Sequence, residues 1–205
     1  MKNTNTFQPK IGNEETAALP AIEYPGEIRV IEQEEEISDA CAYLAAHPVI
    51  GFDTETRPSF RQGVTFRVSL LQLSTPERCY LFRLNRIPLA APLLHLLGSA
   101  KVQKVGADVA GDLRSLRQLR HFRDGGFVDL QAIAPDWGIE EKSLRKLSAI
   151  VLGKRVSKAQ RLSNWEAAQL TDKQLLYAAT DAWVCTEIYD KLQQTPQIRK
   201  KITPA

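Results

Sequence analysis

Pro48-Val-Ile-Gly-Phe-Asp-Thr-Glu55, then Val68-Ser-Leu-Leu-Gln-Leu-Ser74 and Arg78-Cys-Tyr-Leu-Phe-Arg83, form the stretch that decides the fold. Each run is short, apolar and bounded by turn-forming residues, so the three read as strands of an antiparallel meander. Upstream, Glu27-Ile-Arg-Val-Ile31 reads as a further strand. It leads into a helix over Glu34–Ala46, with Ile37, Cys41 and Leu44 at helical spacing. Downstream the pattern alternates. A helix at Leu89–Leu97 closes at Gly98, a strand spans Lys101–Gly106, and a helix at Gly111–Leu119 turns Leu113, Leu116 and Leu119 to one side. A strand or turn at Phe127–Leu130 precedes helical segments at Ser143–Leu152 and Thr171–Leu192. Thr171 with Gln174 is a capping-box start for the last of these. The sum is an α/β fold: a mixed sheet, three antiparallel strands then parallel strands, flanked by helices. Residues 1–22 lack periodicity and read as a flexible arm, 23–195 as one domain, and 196–205 as a C-terminal tail.

Composition narrows the function classes. No apolar run approaches the roughly 18–20 residues of a membrane span, and the first ten residues hold no apolar core of a secretory signal. The three cysteines, Cys41, Cys79 and Cys185, are an odd number without a Cys-x-x-Cys pair, which argues against a disulfide framework or zinc ribbon. A reducing, cytoplasmic setting is expected. The net charge of +3 hides an asymmetry. Residues 1–50 carry 3 basic and 9 acidic side chains, whereas 101–161 carry 13 basic and 7 acidic. A clustered basic middle suits a phosphate-backbone partner, although a solvated helix face gives the same pattern.

Three groups of acids invite chemistry. Asp53 and Glu55 stand two apart on a strand and so share a face. Two like charges at the end of an interior strand are costly unless a hard cation such as Mg²⁺ or Mn²⁺ neutralises them, or unless the strand simply ends in solvent. Tyr177 and Asp181 stand four apart on the last helix, one turn from each other, among Leu175, Leu176, Ala178, Ala179 and Ala182. Asp112 opens the helix that carries Leu116, whereas Asp108 reads as a cap or solvent-facing residue. Each signal has a plain structural alternative when taken alone.

In this order and spacing they resemble the DEDD 3′–5′ exonucleases. The motifs are Phe52-Asp-Thr-Glu55, Asp112-Leu-Arg-Ser-Leu116 and Tyr177-Ala-Ala-Thr-Asp181, the last marking the tyrosine (DEDDy) branch that includes ribonuclease D and the Werner-type exonuclease domain. Leu71-Gln-Leu, Cys79-Tyr-Leu-Phe82, Leu152-Gly-Lys154 and Ser163-Asn-Trp165 are also similar to the Werner type, and the similarity covers about residues 27–194. It departs after Asp112, where Leu113-Arg114 replaces a more polar-aromatic pair.

The resemblance implies a ribonuclease-H-like fold and a two-metal hydrolysis of phosphodiesters from a free 3′ end, with Mg²⁺ or Mn²⁺. It further implies that Asp53 bridges both ions, that Glu55 and Asp181 hold the one serving the attacking water, that Asp112 holds the other, and that Tyr177 orients the water. Candidate nucleic-acid contacts are Arg57 and Arg61 after the first motif, and Lys154, Lys158, Arg161 and Trp165 before the last helix, with core packing the alternative for Trp165. The chain ends at Ala205, so the expectation is a stand-alone nuclease, with DNA as partner over RNA and no membrane. The alternatives are ribonuclease-D-like trimming of RNA and a catalytically silent nucleic-acid-binding module. A silent binder has no use for clustered acids that repel phosphate.

Overall fold

Six strands make one sheet in a computed structural model that describes residues 6–198. In chain order they are β1 (Glu27–Ile31), β2 (Val49–Thr56), β3 (Val68–Ser74), β4 (Arg78–Phe82), β5 (Gln103–Gly106) and β6 (Phe127–Asp129). Their order across the sheet is β1-β4-β3-β2-β5-β6. The β2/β3 and β3/β4 pairs are antiparallel, while β1/β4, β2/β5 and β5/β6 are parallel. The expected meander and the expected parallel continuation are therefore both present. β3 lies between two strands and under helices on both faces, and all seven of its residues are buried.

Among the described residues there are seven α-helices: α1 (Asn13–Ala18), α2 (Ile37–Ala45), α3 (Ala91–Gly98), α4 (Val109–Leu119), α5 (Leu130–Ile133), α6 (Leu144–Leu152) and α7 (Asp172–Gln193). The sheet separates two apolar cores. Ile50, Phe52, Leu71 and Leu73 pack with Leu44 of α2, Leu97 of α3 and Leu116 of α4. On the opposite face Leu70, Leu81 and Val105 pack with Leu147 of α6 and with Ala178, Val184 and Ile188 of α7. Strand alternation does the sorting. Ile50 and Phe52 go to one core, which leaves Gly51, Asp53 and Glu55 facing α7.

The capping box of α7 is formed: Thr171 Oγ1 accepts from the Gln174 N–H, and Gln174 Oε1 accepts from the Thr171 N–H at 3.0 Å. At the start of α4, Asp108 adopts a left-handed conformation, φ 65°. The cap is supplied instead by Asp129 at the end of β6, whose carboxylate accepts from the N–H groups of Asp108 and Val109.

The flexible arm expected at residues 1–22 is not what residues 6–22 do; residues 1–5 lie outside the described region. Phe7, Ile11 and Ile22 are buried, and α1 forms within the stretch. The Ile22 N–H donates to the Arg155 carbonyl, and Arg155 Nε donates to the Leu19 carbonyl. Phe7 and Ile22 join the core formed with α6 and α7, and apolar residues so widely spaced carry no sustained period for a sequence to display. The tail expected at 196–205 starts docked as well, with the Ile198 N–H donating to the Asp136 carbonyl; residues 199–205 lie outside the described region. Among the described residues no helix is long and apolar enough to cross a membrane.

Candidate active site

β2 delivers Asp53 and Glu55 to the face beneath α7, and α7 delivers Asp181 from above. One oxygen from each of these carboxyls lies within 4.8 Å of the other two. Close approach of helix and strand makes this possible. At Gly51 an added Cβ would stand 2.0 Å from the Ala182 carbonyl oxygen, so glycine alone allows α7 to sit this low. Just past Glu55 the β2/β3 register slips, with Glu55 opposite Leu70 but Thr56 opposite Val68. That bulge ends the regular strand beside the acids.

Asp112 of α4 comes in from the other side of the strand. Its Oδ1 accepts from Thr54 Oγ1 at 2.6 Å, which fixes the carboxylate beside β2 but outside the group of three. Nothing in the sequence marks Thr54, since a threonine between two acids carries no signal beyond strand preference.

Electrostatics are severe. Burial first, then the charges of Asp112, Asp181 and Glu55, push the Asp53 carboxyl well above the usual carboxylate range. Burial and the neighbouring Asp181 and Asp112 raise Glu55 to about 9. Burial raises Asp112 to about 7, against the Thr54 hydrogen bond, and raises Asp181 to about 7, against the Tyr177 phenol. Tyr177 is itself raised, by burial and then by Asp181 and Glu55, so its hydroxyl keeps its proton. Asp181 Oδ1 is buried without a hydrogen-bond partner. Repelling acids, one of them with an unpartnered buried oxygen, fit hard divalent cations, which take carboxylate oxygens and cancel the repulsion.

The candidate nucleic-acid contacts divide. Arg61, Lys158 and Arg161 are exposed on the two loops that flank the acids, 57–67 and 153–171. Arg57 is also exposed but engaged: Nη1 meets Glu166 Oε2 at 3.2 Å, and its guanidinium lies over Phe66. Lys154 is exposed as well, at the start of the second loop just past α6. Trp165 corrects the expectation. It is fully buried, its ring centroid is 6.0 Å from that of Tyr177, and no face is open to a base. The loop turns it inward because Arg83 donates to the Ala167 carbonyl and Arg86 to the Ala168 carbonyl, both arginines being braced by Glu32.

Residues 28–196 match the model of a family described as 3′–5′ exonuclease. The chain is 35% identical over 184 residues to the mouse bifunctional 3′–5′ exonuclease/ATP-dependent helicase WRN, covering 85% of this chain and 13% of that protein. It is 30% identical over 185 residues to the human exonuclease mut-7 homolog, covering 76% and 21%. The chain thus spans a small part of the length of these two curated relatives. Among solved structures, the Aedes aegypti Nibbler EXO domain shares the fold, with a TM-score of 0.76, 24% identity, and coverage of 85% of this chain and 92% of that one. Escherichia coli RNase D shares it at a TM-score of 0.74, 23% identity, and coverage of 82% and 44%.

Proposed function

The chain belongs to the 3′–5′ exonuclease family, and we propose that it is a metal-dependent exonuclease that hydrolyses DNA from the 3′ end and releases nucleoside 5′-monophosphates. The observation that carries this reading is the convergence of Asp53, Glu55 and Asp181 within 4.8 Å, on a strand and a helix held close by Gly51. Two bound divalent cations, Mg²⁺ or Mn²⁺, would supply an activated water on one side of the phosphate and stabilisation of the leaving oxygen on the other. Asp53, Glu55 and Asp181 would hold them, with Asp112 contributing from the Thr54 side. Tyr177, protonated throughout, donates a hydrogen bond that orients the attacking water at the phosphate. The 35% identity to a protein named as a 3′–5′ exonuclease/helicase supports this reading. A second reading, 3′ trimming of RNA, has support in the fold shared with Escherichia coli RNase D, an exoribonuclease involved in structured RNA processing.

One gel separates them: 5′-labelled DNA and RNA of equal sequence, in EDTA and then with Mg²⁺ or Mn²⁺. A ladder on DNA that needs the cation is expected. A ladder only on RNA would install the second reading, and no ladder on either would remove both. Tyr177→Phe should lower kcat by about tenfold to a hundredfold, the worth of one hydrogen bond to a charged group. A loss as deep as that of a carboxylate variant would contradict the orienting role.

The raised carboxyls also set a pH dependence. In the folded protein they hold protons that the unfolded chain loses above about pH 4. Without metal, stability is therefore lost as pH rises through about 7 and towards 9. Divalent cations bind the ionised form and restore it, in competition with protons. The rise in melting temperature on adding Mn²⁺ should be larger at pH 8.5 than at pH 5. Equal shifts at the two pH values would show that the cation binds elsewhere.

A further inference from the structure

Three large apolar side chains are exposed among the described residues, and all three stand on the two loops that flank the acids. Phe60 is 82% exposed and Val64 42% on the 57–67 loop, and Leu162 is 59% exposed on the 153–171 loop. Every other large apolar residue described is at least half-covered. Cations interleave with them: Arg61 beside Phe60, Arg67 beyond Val64, Lys158 and Arg161 before Leu162, all exposed and without an acidic partner. The one arginine of the first loop that has such a partner is Arg57, and its partner, Glu166, belongs to the second loop. That ion pair joins the loops, and the carbonyl bonds from Arg83 and Arg86 anchor the second from below.

We infer that Phe60 and Leu162 form a divided grip for the unpaired 3′-terminal segment of a nucleic acid, with bases stacked on the apolar side chains and phosphates on Arg61, Lys158 and Arg161. The inference rests on the exonuclease reading for the identity of the partner, and on exposure and charge for the place. An aromatic face turned to solvent beside free cations is the pairing that single strands use, because every base has a π-face and every nucleotide a phosphate. Paired bases hide those faces in the duplex stack, so this surface selects frayed or single-stranded ends. Trp165, an aromatic that the sequence leaves open between base stacking and core packing, is buried and buttresses Tyr177. A membrane surface is the other occupant that apolar and basic side chains suit.

The test is binding in EDTA, where hydrolysis is silent, read by fluorescence anisotropy of a labelled single-stranded oligonucleotide across a salt series. Phe60→Ala together with Leu162→Ala should weaken binding about tenfold without changing the salt slope. Phe60→Trp should retain wild-type affinity. Arg61→Ala should lower the salt slope by about one. The wild-type preference for single strand over blunt duplex should shrink in the double variant. Binding within twofold of wild type in a folded double variant overturns the inference. So does loss of binding to phosphatidylserine vesicles without any loss of oligonucleotide binding. A wild-type protein that binds in this Phe60-dependent way but releases no nucleotide with Mg²⁺ or Mn²⁺ would sink the exonuclease reading and leave the grip standing.

Discussion

Asp53→Asn should cost at least about a thousandfold in nucleotide release, equivalent to about 4 kcal/mol of barrier, while the folded protein melts higher than wild type in EDTA at pH 8. Both effects have the same cause. Asp53 stands at the centre of the acids, and burial together with Asp112, Asp181 and Glu55 opposes its ionisation. An amide of the same shape cannot take on the repelled charge and offers an N–H₂ donor to the acceptor oxygens around it, one of them the unpartnered Asp181 oxygen. The amide is a poor ligand for a hard cation, so the gain in stability comes with loss of function. Asp181→Asn should behave alike. Release within tenfold of wild type, or a lowered melting temperature in EDTA, would contradict the assignment.

Gly51→Ala should destabilise the protein by upwards of about 3 kcal/mol, a fall of roughly 10 °C in melting temperature at this chain length. The added methyl would stand 2.0 Å from the Ala182 oxygen and 2.6 Å from the Ala182 carbonyl carbon, and a helix backbone cannot yield as a flexible side chain does. α7 must lift off β2. Because α7 carries Tyr177 and Asp181 while β2 carries Asp53 and Glu55, activity should fall further than stability at temperatures where the variant remains folded. Gly12→Ala is the control: nothing lies within 4 Å of the added atom, and melting should barely change. A Gly51→Ala protein as stable as wild type would mean that the helix does not sit as close as described.

How much of this was visible beforehand follows from the kind of pattern each feature leaves. Asp53 and Glu55 share a face because strands alternate, and Tyr177 and Asp181 share one because helices repeat near every fourth residue. Both facts can be read without coordinates. Thr171 and Gln174 announce the start of α7 by residue type alone. Asp112 was legible as a helix-start acid, whereas its bond to Thr54 depends on how α4 approaches the sheet. The N-terminal stretch shows no period because its buried residues, Phe7, Ile11 and Ile22, are few and widely spaced. Trp165 stays open between stacking and packing because its loop looks wet, with Lys158, Arg161 and Asn164 before it. The inward turn is imposed by Arg83 and Arg86, about eighty residues earlier in the chain. Phe60 leaves no mark among the arginines of its loop, since nothing in a sequence separates an exposed phenylalanine from a buried one.

In the proposed mechanism three carboxyls from one strand and one helix act together as a cation seat. A crystal grown with Mn²⁺ and measured at the manganese absorption edge tests this directly. An anomalous peak within about 2.0–2.3 Å of oxygens from Asp53 and Asp181 is the predicted result, with peak height lost in Asp53→Asn. Three carboxyls in the described arrangement with no anomalous peak between them, in a crystal that shows manganese elsewhere, would contradict it.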